Sequence, residues 1–287
     1  MALAAVALLV LAIAAFACGD DDASEPGDGL RVVTTLELFA DMAREVGGDR
    51  VNVTTLLPSG ADPHTYELAP AQVAAIARAD LVLSNGLGLE GNVLGVIEQN
   101  AGDASVTLSD GLDTLNDNPH LWLDPALAAG YVERLRDALI DRDPDGREAY
   151  GINAALYLTG LRALDDDMAA AIESVPPQQR KLVTFHDAFP YLAERYGLEV
   201  VAVLVPSPGQ EPSARDVVEL TETLRSEAVP AAFKEPQFSA QVLELAADEA
   251  GVDVFDLLSD AYVDGVDSYL ELMRFNLRQL QEGLGGN

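Results

Sequence analysis

The chain has 287 residues, of which 48 are acidic, 17 are lysine or arginine and three are histidine, so its formal net charge is −31. Such a field repels nucleic acid and anionic membrane surfaces and attracts small cations, which argues against a nucleic-acid-binding protein. Hydrophobic residues make up 49% of the chain. This is a globular composition, and the length suffices for one large domain or two of ordinary size.

The N-terminal segment has the pattern of a processing signal. Residues 1–17, MALAAVALLVLAIAAFA, form an uncharged apolar run that is short for a membrane span and ends in small residues, which predicts a signal peptide. Cys18 is the only cysteine, so it cannot form an intramolecular disulfide. Its position resembles that of the lipidated first residue of a bacterial lipoprotein, although a chance cysteine in an ordinary signal peptide is the alternative. Residues 18–29 predict a polar tether.

Strand and helix patterns alternate through the first half of the remaining chain. Short runs rich in β-branched residues predict strands at 30–35, 51–57, 81–84 and 105–108. Apolar residues at three- and four-residue spacing predict helices at 38–46, 70–79, 92–99 and 127–141. This order favours a mainly parallel sheet flanked by helices.

One long helix is predicted over 143–174, because after Pro144 this stretch has no proline and few glycines. About 28 helical residues would span about 42 Å, more than a small domain needs, so we interpret it as a helix joining two lobes. The alternation then restarts. Strands are predicted at 181–185, 199–204, 231–234 and 252–257, and helices at 188–196, 214–226, 240–250 and 268–284. The predicted α/β protein therefore has an N-terminal lobe at 30–142, the linker helix at 143–174 and a C-terminal lobe at 175–287.

The three histidines are far apart in sequence but occupy similar places in the predicted fold. His64 lies in a loop after a predicted strand, His120 lies in a loop, and His186 directly follows the strand 181–185. The carboxyl ends of parallel strands border the ligand crevice of an α/β sheet, so these positions could converge. Imidazole is the commonest protein ligand for zinc and similar metals. A lone histidine is more often structural, and spacing alone leaves both interpretations open.

A carboxylate would complete a tetrahedral site made of three imidazoles. Asp260 is the candidate because it lies just beyond the predicted strand 252–257, at the end that faces the crevice. Asp256 and Asp264 are near enough in sequence to be alternatives.

Five ordered motifs resemble one known family. GADPHTYELAP, NPHLWLDP, FHDAFPYLAERYGL, KEPQFS and DSYLELMRFNL are similar to the metal-binding lipoproteins of ABC transporters for zinc and manganese, over residues 30–284. The resemblance implies two α/β lobes bridged by one rigid helix, with one transported divalent metal ion in the cleft between the lobes. It implies the ligands His64, His120, His186 and Asp260. Glu235 would orient a ligand imidazole, unless it is an exposed loop carboxylate.

The resemblance favours zinc over manganese. Manganese-selective relatives often carry glutamate where this chain has His186, and three imidazoles suit zinc better. A manganese-specific or mixed protein is the alternative, because the long His-rich acidic loop of many zinc-uptake members is missing here. The implied partner is the membrane permease of an ABC importer. We expect an extracytoplasmic monomer that is anchored to the membrane through lipidated Cys18.

Two other functions have less support in the sequence. Three histidines can hold a catalytic zinc with a water in the fourth position, but Asp260 would close that position, and the chain contains no HExxH or GxSxG motif. We therefore predict that the protein is not an enzyme such as a zinc hydrolase. Some relatives in the family have been described as surface adhesins, but the sequence contains no separate adhesive module. Trp122 is predicted to pack beside the cleft.

Overall fold

The computed structural model describes residues 29–205, 209–210 and 212–285. The predicted signal peptide, Cys18 and all but the last residue of the predicted tether lie outside these residues. Among the helices that the structure describes, none is long and apolar enough to cross a membrane.

The first lobe contains a four-stranded, fully parallel sheet in the order β2-β1-β3-β4. Its strands are β1 (Leu30–Thr34), β2 (Val51–Thr55), β3 (Leu81–Ser84) and β4 (Ser105–Thr107). The helices are α1 (Glu37–Gly47), α2 (Pro70–Arg78), α3 (Asn92–Ala101) and α4 (Pro125–Arg142). The strands that follow β1 lie on both sides of it, and this reversal opens a crevice at the carboxyl ends of the strands.

The second lobe repeats this architecture. Its parallel sheet has the order β6-β5-β7-β8, which is the first lobe's order with each strand number raised by four. The strands are β5 (Lys181–His186), β6 (Glu199–Val205), β7 (Ala231–Lys234) and β8 (Asp253–Asp256). The helices are α6 (Pro190–Tyr196), α7 (Ala214–Ser226), α8 (Gln241–Ala250) and α9 (Tyr269–Leu284). The two lobes are therefore alike in topology.

A single helix, α5 (Arg147–Ser174), runs between the lobes. Its 28 residues correspond to about 42 Å. Its buried side chains recur every three or four residues from Tyr150 to Ile172, so one continuous stripe faces the protein interior. The stripe packs against α1 and α4 of the first lobe and against α6 and α9 of the second. Contact with both lobes limits how far α5 can bend.

The helix begins four residues later than the sequence pattern indicates. Residues 144–146 form a short 3-10 turn instead. The carboxylate of Asp143 accepts hydrogen bonds from Arg50 Nε and from the Tyr150 hydroxyl, both at 2.7 Å. These tertiary contacts hold the corner between α4 and α5, and helical periodicity alone does not reveal them.

Two hydrophobic clusters form the core. One runs from the first lobe along α5 into the second lobe, and the other lies on the opposite face of the second sheet, under α7 and α8. Leu182 belongs to the first cluster and Val183 to the second, because successive side chains of a strand point to opposite faces. The predicted fold class, two parallel α/β lobes bridged by one helix, is confirmed.

Candidate metal centre

All four predicted ligands lie at or beyond the carboxyl ends of strands. His64 lies in the loop after β2, and His120 lies in the long connection after β4. His186 is the last residue of β5, and Asp260 follows β8. Each lobe thus contributes two of these residues to the region where the lobes meet.

The three imidazoles lie together. One potential ligand nitrogen from each of His64, His120 and His186 lies within 4.8 Å of the others. The centroid of the His120 ring is 5.5 Å from that of His64 and 5.0 Å from that of His186. His120 and His186 are buried, and their Nε2 atoms are 3.2 Å apart. Residues separated by more than 50 positions in sequence are therefore brought into one cluster.

Asn118 determines which nitrogen of His120 carries the hydrogen. The Asn118 Nδ2 group donates to the Asp187 carbonyl oxygen at 2.7 Å, so its Oδ1 atom faces His120. Oδ1 accepts from the His120 backbone N–H at 3.1 Å and from Nδ1 at 2.9 Å. Nδ1 is therefore the donor, and Nε2 keeps a free lone pair. Burial, followed by the charges of His186 and His64, lowers the pKa of His120 well below its usual value, so the ring is neutral.

Glu235 performs the same task for His186. Its Oε2 atom accepts a hydrogen bond from His186 Nδ1, which leaves the Nε2 lone pair facing His120. Burial lowers the pKa of His186, but the charge of Glu235 and this hydrogen bond outweigh it and raise the pKa above its usual value. Glu235 is 1% exposed, so it is not an exposed loop carboxylate. Two lone pairs facing each other at 3.2 Å repel unless a proton or a cation lies between them.

Asp260 is buried beside the cluster but outside the 4.8 Å group. Its Oδ1 atom accepts from Gln237 Nε2 at 2.8 Å, while Oδ2 is buried with no hydrogen-bond partner among the residues that the structure describes. Burial, with a contribution from the charge of Glu235, raises the pKa of Asp260 to about 7. A bound cation would stabilise the ionised form. Asp256 lies within β8, and Asp264 is exposed.

The His64 loop is held by local hydrogen bonds. Asp62 accepts from the His64 backbone N–H at 2.9 Å and from the Thr65 hydroxyl at 2.8 Å. The Gln72 side chain accepts from the Ala69 N–H at 2.7 Å at the start of α2. Burial lowers the pKa of His64, partly offset by Asp62, and its Nε2 atom has no hydrogen-bond partner within the described part of the chain. His64 is therefore a neutral imidazole with a free nitrogen.

A buried polar network supports the loop that carries His120. Glu90, fully buried, accepts from the Gly86 N–H and the Thr35 hydroxyl, both at 3.0 Å. It also accepts from the N–H of Asn85, whose side chain donates to the Pro119 carbonyl at 2.9 Å. Sequence reasoning missed this network. The sequence signal for this network is weak. Asn85 directly after the apolar strand β3 marks the end of that strand, but the sequence does not identify what its side chain contacts.

Two parallel-sheet lobes on one helix, with buried imidazoles and a carboxylate between them, define a two-lobed solute-binding protein. The profile of the family described as ZnuA, zinc-uptake complex component A, periplasmic, matches residues 32–283. The chain belongs to this family.

The similarity to named proteins extends over nearly the whole chain. The chain is 31% identical to the manganese-binding lipoprotein MntA of Halalkalibacterium halodurans, over 96% of both chains. The periplasmic zinc-binding protein TroA of Treponema pallidum matches with a TM-score of 0.83 and 28% identity, over 89% of this chain and 99% of TroA. A manganese-bound periplasmic metal-binding protein of Candidatus Liberibacter asiaticus matches with a TM-score of 0.78 and 29% identity, over the same shares.

Family membership establishes the general function. The protein is the extracytoplasmic solute-binding component of an ABC importer, it binds a divalent metal, and its partner is a membrane permease. The prediction of a binding protein rather than an enzyme is confirmed by the family and its named members.

Proposed function

We propose that this protein captures one zinc ion between its lobes, using His64, His120, His186 and Asp260, and releases it to the permease of its ABC importer. The observation that carries the proposal is the convergence of three imidazole nitrogens within 4.8 Å.

The hydrogen bonds of the cluster prepare two of these imidazoles for a cation. Asn118 and Glu235 occupy the Nδ1 atoms of His120 and His186, so both Nε2 atoms point into the same space. Two nitrogens bound to one tetrahedral zinc, each at 2.0–2.1 Å, lie about 3.3 Å apart. The separation of 3.2 Å between these Nε2 atoms is close to that value. The geometry therefore suits a small cation shared by the two rings.

Asp260 supplies the fourth ligand through Oδ2, the buried oxygen that makes no hydrogen bond among the described residues. Gln237 holds the other oxygen, which leaves Oδ2 available. With three imidazoles and one carboxylate the shell is closed, and no position remains for a water that could attack a substrate. Such a site suits transport rather than hydrolysis.

Zinc is the first candidate because three imidazoles favour it over manganese, which prefers oxygen ligands. Manganese is the second candidate on a separate observation. MntA and the Candidatus Liberibacter asiaticus protein are described as binding manganese, whereas TroA is described as binding zinc.

We further propose that the protein is a monomer tethered by lipidated Cys18 and residues 18–29. MntA is named a lipoprotein, which supports this anchor. A single acyl chain binds membranes weakly, so stable attachment requires more than one chain.

Calorimetric titration of the metal-stripped chain from residue 19 onward tests the proposal. Zinc and manganese are titrated separately and then in competition. We expect one tight zinc site that manganese does not displace. Asp260→Asn should abolish tight binding, whereas Asp264→Asn, the same change at an exposed position nearby, should leave it intact. Tight manganese binding that zinc does not displace would replace zinc with manganese, and no tight binding of either metal would refute the site.

A further inference from the structure

Trp122 is fully buried between the lobes, two residues after His120. Its ring centroid lies 5.2 Å from that of His120 and 5.8 Å from that of Phe39, which meets it edge-on. Packing beside the cleft, as the sequence indicates, is one part of its role. Its polar groups indicate a second part.

Two hydrogen bonds of Trp122 cross from the first lobe to the second. The indole Nε1–H donates to the carbonyl oxygen of Ser259 at 2.6 Å, and Ser259 directly precedes Asp260. The Trp122 carbonyl accepts from the hydroxyl of Tyr269, at the start of α9, at 2.6 Å. Tyr269 is also fully buried. Donors and acceptors withdrawn from water must be paired, so the lobes cannot separate here without breaking both bonds.

We propose that Trp122 is a positioning residue that couples the two halves of the metal site. It links the loop of His120 to the loop of Asp260 and to the start of α9, so its two hydrogen bonds contribute to the distance between these loops. These two cross-lobe hydrogen bonds are hereafter called the Trp122 clasp. The inference rests on the proposed function, because it takes His120 and Asp260 as ligands.

The clasp predicts a kinetic effect. Metal leaves when the lobes part, and opening must break the clasp, whereas a metal ion that encounters open lobes does not depend on it. Loss of either bond should therefore accelerate metal release more than it slows capture. A tryptophan that only fills space would affect stability alone.

Two conservative variants remove one bond each. Trp122→Phe keeps an aromatic ring and removes the N–H, and Tyr269→Phe removes the hydroxyl. Tyr150→Phe is the matched control: Tyr150 is equally buried, and its hydroxyl binds Asp143 at the corner between α4 and α5, away from the interlobe contact. All three are made in the chain from residue 19 onward, which retains every residue that the structure describes.

Release of zinc is measured by stopped-flow mixing of the loaded protein with excess chromophoric chelator, and melting is measured in parallel. We expect Trp122→Phe and Tyr269→Phe to release zinc about 3- to 10-fold faster than the wild type, the effect of one lost hydrogen bond. Association, calculated from release and affinity, should change less than about twofold, and Tyr150→Phe should release zinc at the wild-type rate. If both clasp variants release zinc at the wild-type rate but melt at lower temperatures, Trp122 contributes only packing and does not couple the two halves of the site.

A metal-free readout separates this inference from the proposed function. Trp122 is the only tryptophan of the chain, so fluorescence excited at wavelengths where tyrosine does not absorb reports on Trp122 alone. In metal-free protein, Tyr269→Phe should increase quenching of Trp122 by acrylamide, whereas Tyr150→Phe should not. If the wild type binds no metal, the proposed function fails while this result still tests the clasp. Equal quenching in all three proteins would overturn the clasp, even if zinc binds tightly.

Discussion

Glu235→Gln is the substitution that probes the electrostatics of the site most cleanly. Glutamine has nearly the same shape, and its amide oxygen can still accept the hydrogen bond from His186 Nδ1. The change therefore keeps the orientation of the ring and removes the buried negative charge. That charge makes His186 a better electron donor to a metal and raises its pKa.

The structure supports a large effect. Glu235 is 1% exposed, so its interaction with His186 is poorly screened by solvent. Loss of such a partner of a metal-bound histidine typically weakens metal binding by about 10- to 100-fold, or about 1.4 to 2.7 kcal/mol. The Glu235 Oε1 atom is buried with no hydrogen-bond partner within the described part of the chain. An amide N–H at that position would be unpaired, so the free energy of unfolding should also fall by about 1 to 3 kcal/mol.

Zinc affinity of both proteins is measured by competition with a chelator of known affinity, and stability by urea unfolding of the metal-free forms. Glu227→Gln is the control, because Glu227 is a half-exposed carboxylate of the same lobe that pairs with Lys181 at the surface. Its loss should change zinc affinity by less than about twofold. Zinc affinity of Glu235→Gln within about threefold of the wild type would refute the role of Glu235 in tuning His186.

Three further predictions concern protons, the His64 loop and the linker helix. As pH falls, His186 should be the first of the three histidines to take a proton, because its pKa is raised while those of His64 and His120 are lowered. Zinc affinity should therefore be complete above the raised pKa of His186 and decline as pH falls through it, and protonation of Asp260, whose pKa is about 7, adds to the decline. Gly91→Ala should weaken zinc binding and lower stability. Gly91 has a φ of +46°, which strains any residue with a side chain, and a Cβ there would lie 2.7 Å from the His64 carbonyl oxygen. Small-angle scattering profiles of metal-free and zinc-loaded protein should nearly superimpose, because α5 packs continuously on both lobes.

Each of these predictions has a contrary outcome. Zinc affinity that stays constant from about pH 7.5 to 5.5 would count against imidazole ligands. Gly88→Ala is the control for Gly91→Ala: Gly88 has a φ of +77° with no atom within 4 Å of an added Cβ, so it shares the backbone strain without the clash. Equal zinc affinity of these two variants would mean that Gly91 does not position His64. Large differences in scattering would show that α5 acts as a hinge.

Much of the fold follows from local patterns. β3 and α7 have the predicted bounds, 81–84 and 214–226, because a short apolar run that is buried throughout and apolar residues at helical spacing are both local signals. β2 ends at Thr55, two residues before its predicted end, because its partner β1 ends at Thr34. The length of that strand is a property of the pair, and the partner cannot be read from one segment.

Part of the candidate site could likewise be predicted from local sequence patterns, and part could not. The three histidines could be grouped because each lies near a strand end, where a parallel sheet collects its loops. The roles of Asn118 and Gln237 could not be predicted from the sequence, because their contacts depend on how the chain folds around the site and amides are common in loops. The role of Trp122 at the interface was hidden for the same reason: an apolar neighbourhood predicts burial, but the acceptor of its N–H lies 137 residues away.

Anomalous diffraction at the zinc absorption edge, on crystals of the zinc-loaded protein, tests the proposed ligand set most directly. We predict one strong peak about 2.0–2.1 Å from a nitrogen of each of His64, His120 and His186, and at a similar distance from an oxygen of Asp260. A peak bound elsewhere, or a peak on the three imidazoles with water in place of Asp260, would contradict the closed four-ligand site.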